Sequence, residues 1–206
     1  MKLINILYFF VLCFPFAARA YDDCLSYKLT PKITLDTPQW SKEVVQPLRY
    51  MDLLHGNVSA TLVDNYDIVA DITNIEDGYC VTLKSVFATV GYSDFLVQID
   101  IRHVPETCTY NAILSHEDEH IRAYLSVIDD FKKDLKDAIY SAADSITPIF
   151  VRSADDIDAA ITELNAELQA HPDLILVKQK IKAAEEIRNK RVDQHDTGQS
   201  LQKCFE

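Results

Sequence analysis

Residues 95–102 alternate strictly, with Phe95, Val97, Ile99 and Ile101 on one side and Leu96, Gln98, Asp100 and Arg102 on the other. This period of two is that of a half-buried strand. Shorter β-like runs precede it at residues 58–63 and 66–73, and a longer one at 80–90, while Gly91-Tyr92-Ser93-Asp94 predicts a hairpin turn. From Thr109 the period changes. Ile113, His120, Tyr124, Ile128, Phe131, Leu135 and Ile139 recur at helical spacing, which predicts one long helix ending near Ser145 to Pro148. Residues 155–170, with Ile157, Ala160, Ile161, Leu164 and Leu168 in register, predict a second helix, and residues 174–192, set off by Pro172, predict a third. A polar entry marked by Pro31, Pro38 and Pro47 comes before all of these. Helices that follow strands point to an α+β fold, here a small antiparallel sheet followed by the long helix and further C-terminal helices.

The first 20 residues read as a signal peptide. Lys2 opens it, an apolar run fills residues 3–16, and Ala18-Arg19-Ala20 is a small-x-small cleavage site. Cleavage near Ala20 leaves residues 21–206 as a single secreted or periplasmic domain. Leu12 before Cys13 argues against a lipid anchor. Loss of Lys2 and Arg19 takes the net charge from −12 to −14, and so acidic a surface repels nucleic acid and anionic membranes as partners. Of the cysteines, Cys24, Cys80, Cys108 and Cys204 remain, an even number that suggests two disulfides among three possible pairings. No two have C-x-x-C spacing. A hairpin folded at residues 91–94 brings Cys80 near Cys108, which leaves Cys24 for Cys204.

The chemistry is concentrated in His116-Glu117-Asp118-Glu119-His120, an H-E-x-x-H sequence inside the long helix. Four-residue spacing places both imidazoles on one helical face, where they can hold one Zn²⁺ with Glu117 beside it as general base. A catalytic zinc needs a third protein donor. Metzincin spacing is excluded, because Ala123 and Ser126 stand where that pattern needs Gly and His. Glu163 and Glu167 flank the apolar stripe of their helix and read as solvated, whereas Glu185 shares a side with Leu174, Ile181 and Val192 and is the acidic alternative. His195 is the stronger candidate, in a polar turn where Asp193 or Asp196 could hold its second nitrogen. His55, His103 and His171 sit in turns or at a strand end and read as structural.

These features together resemble the predicted bacterial secreted zinc-dependent proteases of zincin type. The resemblance rests on the signal peptide, strands leading into the H-E-x-x-H helix, paired cysteines, and a late cluster with His195, Thr197 and Gly198. It departs from the family in the order of the late Asp, Thr, His and Gly cluster. The resemblance implies an exported zinc peptidase holding one Zn²⁺ per chain, with a peptide or protein as substrate, Tyr124 or Tyr110 as the group that steadies the oxyanion, and residues 95–104 as an edge strand for an extended peptide. Two other classes compete with it: a non-catalytic exported metal-binding module, and a disulfide-stapled structural or binding module. The pattern is silent on oligomeric state.

Overall fold

Strand β4 (Gly78–Ile99) is the spine of the protein, bonded along both edges. The computed structural model describes residues 23–47, 55–195 and 199–206; the expected signal peptide, residues 1–20, lies outside them. β3 (Gly56–Ile75) runs antiparallel along one edge of β4, from the pair Gly56 and Ile99 to the pair Ile75 and Gly78. The other edge carries three short strands in succession. β5 (Ile149–Val151) is antiparallel at residues 79–81, while β1 (Lys32–Asp36) and β2 (Ser41–Val45) are parallel at residues 85–89 and 94–98.

The expected small antiparallel sheet is thereby corrected: the sheet has five strands and is mixed, because β1 and β2 enter in the direction of β4. Both lie in the polar, proline-marked entry, where Pro38 separates them. Their inward positions, Ile33, Leu35 and Val44, are too few to show a period, yet they pack against the core. β5 also follows the long helix, so strands and helices are not segregated along the chain.

A second correction concerns Gly91-Tyr92-Ser93-Asp94, which lies inside β4 and makes no turn. The pairing shifts there, from Ala60 opposite Phe95 to Leu62 opposite Tyr92, which leaves an extra residue in β4. A Cβ at Gly91 would lie 2.8 Å from Pro38 Cδ, so this glycine admits the link between β1 and β2. Ser41 and Ser93 hydroxyls donate to Asp94 at 2.9 and 2.7 Å. The true hairpin is the two-residue link Glu76-Asp77.

The helices stand close to the predicted positions. α1 (Cys108–Ser145) starts at Thr107, whose hydroxyl accepts from the Tyr110 amide. A 3-10 turn (Ala154–Asp156) leads into α2 (Ile157–Ala170), then α3 (Pro172–His195) and the short α4 (Gln199–Gln202). They cover one face of the sheet: Val86, Ala88 and Val90 are buried, whereas Phe87 between them is 45% exposed. Ile113, Ile121, Ile128, Leu135 and Ile139 of α1 complete the core with Leu164 and Leu168 of α2 and Leu174, Val177 and Ile181 of α3. Each such side chain contributes roughly 1.5–3 kcal/mol by leaving water. Among the described residues, no helix is long and apolar enough to cross a membrane.

The disulfides differ from the expected pairs. Cys24 bonds to Cys80 and Cys108 to Cys204. The expectation of Cys80 with Cys108 relied on a turn at residues 91–94; with β4 continuous, Cys80 lies near its start and Cys108 follows its far end.

Gly78 tests the hairpin. Its φ is +157°, and a Cβ there would fall 2.2 Å from the Val151 carbonyl oxygen of β5. Gly78→Ala should cost about 1–3 kcal/mol, read as a lower urea midpoint with an unchanged slope; wild-type stability would mean that β5 does not pair there.

Candidate metal centre

Cys108, Ala112, His116, His120 and Tyr124 follow one another at four-residue intervals on α1. Successive members therefore stack along one face. Each step of four advances about 6 Å and drifts about 40° around the axis, so a slowly winding ridge carries a cysteine, a small residue, two imidazoles and a phenol in that order. A cleft of about 470 Å³ lies over it, closed by the start of β3, the end of α3 and Leu201 of α4.

His116 Nε2 and His120 Nε2 are 3.2 Å apart. The third group is Asp193, whose Oδ1 lies 3.1 Å from His120 Nε2 and 3.6 Å from His116 Nε2. A tetrahedral ion with bonds of ~2.0–2.1 Å keeps its donors about 3.3 Å apart. Among the described residues, these three are the group able to hold a metal ion.

The hydrogen bonds around His120 strengthen the fit. Asn189 Nδ2 donates to the Glu185 carbonyl at 3.0 Å, which turns its Oδ1 towards His120 Nδ1 at 2.8 Å. Because that oxygen only accepts, the network assigns the proton to Nδ1 and leaves Nε2 bare. A bare nitrogen then faces a carboxylate oxygen at 3.1 Å. Two acceptors at that separation repel unless a proton or a metal ion lies between them.

α3 supplies the third donor by periodicity. Leu174, Val177 and Ile181 bury its first half against the core, and the same face continues as Glu185, Asn189 and Asp193. Arg188 binds Ser126 and Asp130 of α1, while Lys178 pairs with Asp64 at 2.7 Å and lies over the Tyr66 ring. The helix is thus held to both α1 and β3.

His195, expected as the third donor, is exposed at the end of α3 and outside the donor group. Two residues rotate a helix by about 200°, so Asp193 and His195 cannot face the same ion. Asp193 moves from the supporting role expected of it to the donor position; Asp196 lies outside the described residues. Glu185, the acidic alternative, receives a hydrogen bond from the Tyr92 hydroxyl and is also outside the group. Tyr124 lines the cleft and Tyr110 does not. His55, expected to be structural, lines the cleft, and its Nδ1 is 3.0 Å from His103 Nε2.

Glu117 lies beside the donors with only 3% of its surface exposed. Burial pushes its carboxyl up to about 7; His120 opposes the shift, and Asp193 and Asp118 add to it. A Cβ on Gly56 would fall 2.5 Å from Glu117 Oε1, so β3 approaches the carboxyl over a glycine. Asn189 was not singled out in the sequence; its signal was the interval of four from Glu185 and again to Asp193.

Comparison with protein-family models, curated proteins and solved structures finds no match to this chain.

The Glu117 shift has a consequence for stability in metal-free protein. A carboxyl with a folded pKa near 7 and an ordinary value of 4.5 binds its proton more tightly when folded, so stability falls as pH rises through that window. Glu117→Gln does not titrate. In chelator-treated samples it should gain on wild type between pH 4.5 and 7, reaching roughly 3 kcal/mol above that range. Urea unfolding at several pH values measures the difference, and a pH-independent gap would contradict burial of the charge.

Proposed function

We propose that this chain is an exported zinc-dependent peptidase in which His116, His120 and Asp193 hold the metal and Glu117 is the general base. One observation carries the reading: two imidazole nitrogens and a carboxylate oxygen lie 3.1–3.6 Å apart, in an open cleft beside a buried carboxyl. Zinc held there supplies Lewis acidity, polarising a carbonyl and lowering the pKa of water to about 7.

The chain's own residues do the rest. Glu117 accepts the proton of the attacking water and delivers it to the leaving amine, a task suited to a carboxyl whose pKa lies near neutrality. Asn189 holds His120 in the tautomer that leaves Nε2 bare. Tyr124 stays protonated, since burial and then Glu185 push its phenol up, so its hydroxyl can donate to a developing oxyanion.

The peptide is held differently from the sequence-based expectation. Residues 95–98 belong to β4 and are bonded on both edges, so they cannot take another strand. The outer edge of β3 pairs with nothing among the described residues, and Gly56, Asn57 and Val58 line the cleft. An extended peptide adding to that edge would lie across the donors. Two disulfides suit the oxidising compartment that an exported enzyme occupies.

Three variants test the assignment on an unfolded protein such as reduced casein. Glu117→Gln should lower hydrolysis by about 10²–10⁴-fold and keep one zinc per chain. Asp193→Ala should weaken zinc by roughly 10–100-fold or more, and His195→Ala should keep both zinc and activity. Elemental analysis with a peptidase assay decides it. Folded wild-type protein that takes up no zinc sinks the reading.

A further inference from the structure

Two histidines outside the metal centre meet at the rim of the cleft. His55 precedes Gly56, the first residue of β3, and lines the cleft; His103 lies in the link between β4 and α1. His55 Nδ1 is 3.0 Å from His103 Nε2, and the rings meet edge to face at 63°. At that distance one nitrogen donates and the other accepts, so the two facing nitrogens share a single proton. The His103 side is the fixed one. Gln46 Nε2 donates to the His103 carbonyl at 2.7 Å, and the His103 amide donates to the Asp100 carbonyl at 3.0 Å. The fully buried Asp100 carboxylate in turn accepts from the Arg102 amide and Nε, each at 2.8 Å.

The His55 side carries a wall of the cleft. Its carbonyl accepts from the Asp100 amide at 2.9 Å, and the next residue, Gly56, pairs with Ile99 at the end of β4 and lies against the Glu117 carboxyl. A first added proton enters the outer nitrogen of the donating ring and leaves the N–H···N bond in place, as an imidazolium donating to a neutral imidazole. A second fills the accepting nitrogen, which ends the bond and sets two cations face to face. Burial and then His55 push the His103 imidazole down; Asp100 opposes the shift and Arg102 adds to it. The other ionisable side chains lining the cleft, His116, Glu117, His120 and Tyr124 of α1 and Asp193 of α3, belong to the metal centre, and the cleft-lining residues of β3 carry none.

We propose that His55 and His103 form an acid-released latch, in which one shared proton holds the start of β3 to the end of β4 and full protonation of both rings lets it go. Closed, the latch keeps Gly56 over the Glu117 carboxyl; open, it frees that wall of the cleft. The direction with pH follows from where His103 takes its proton. In the unfolded chain it does so at the ordinary value of about 6.5, and in the folded chain lower, so the stabilisation from the latch is complete above the ordinary value and is lost as the pH falls through the folded one. The device needs neither metal nor turnover and therefore stands apart from the peptidase reading.

Amide hydrogen exchange of the full chain, followed by NMR from pH 7.5 to 4.5 and corrected for the intrinsic rate, tests the latch. The Asp100 amide, bonded to the His55 carbonyl, is the reporter, and the Ala88 amide in the middle of β4 is the control. In wild type the protection of Asp100 should fall about 10-fold or more across that range while that of Ala88 holds. His103→Gln keeps an N–H donor for His55 and carries no charge, so its Asp100 protection should stay constant. Nitrogen-15 spectra of the wild-type histidine rings give a readout that needs no variant: at pH 7.5 one of the two facing nitrogens should carry a proton, and both rings should be fully protonated only where Asp100 loses protection. A flat wild-type profile, an equal loss in His103→Gln, a fall of Ala88 in step with Asp100, or two bare facing nitrogens at pH 7.5 overturns the latch and leaves the metal centre untouched.

Discussion

Four-residue spacing on one helix is the constraint on which the rest of this protein depends. Cys108, Ala112, His116, His120 and Tyr124 form a single slope along α1, because each step of four turns the helix by about 400° and raises it by 6 Å. A disulfide, a small-residue floor, a pair of donors and a phenol therefore come in fixed order, and the neighbouring elements supply what this face lacks. β3 brings Gly56 onto Glu117, α3 brings Asn189 and Asp193, and the chain end brings Leu201. On the other side of α1, Ile121 is buried in the core and Leu114 and Leu125 pack against it.

Holding polar groups beside a hydrophobic core has a cost, and α3 shows how it is met. Its buried face is apolar where it meets the core, at Leu174, Val177 and Ile181, and turns polar one step later. From there each contact joins two charged or hydrogen-bonding groups: Tyr92 with Glu185, Arg188 with Asp130, Asn189 with His120. A seam that changes from carbon to paired polar groups keeps the helix docked while it delivers a carboxylate to the cleft. Asp193, at the end of that seam, has a side chain that is 64% exposed, so it approaches the imidazoles from the solvent side, while Glu117 approaches from the interior. The two carboxyl groups are thereby separated by environment, one exposed to water, the other buried with its affinity for a proton raised.

Much of this was legible in the chain. Helical periods of apolar residues marked α1, α2 and α3 to within a few residues, because each buries a continuous stripe and a stripe is a local property of sequence. The two histidines and Glu117 were legible for the same reason: their relation is set inside one helix. Glu185 was recognised as lying on a buried side, and the same count of four and eight residues leads from it to Asn189 and Asp193. His195 attracted attention by its residue type, but a helix that continues to His195 points it away from Asp193 and into solvent.

What depended on elements remote in sequence was not legible. β1 and β2 are five residues each, too short for a period, and they are strands because the free edge of β4 needs bonding partners for its amides and carbonyls. Gly91-Tyr92-Ser93-Asp94 has the composition of a turn, yet Pro38 closing on Gly91 and the serine bonds to Asp94 hold it as an irregular stretch of strand. A Cys80–Cys108 pair needs that turn, and a continuous β4 keeps the two cysteines apart. The sequence alone determined the helices and the paired imidazoles, whose geometry is closed within a few turns of one element. Only the tertiary structure decided that Asp193 joins the two imidazoles, which cysteines pair and what walls the cleft, because each is a meeting of segments far apart along the chain, and no local pattern encodes which will meet.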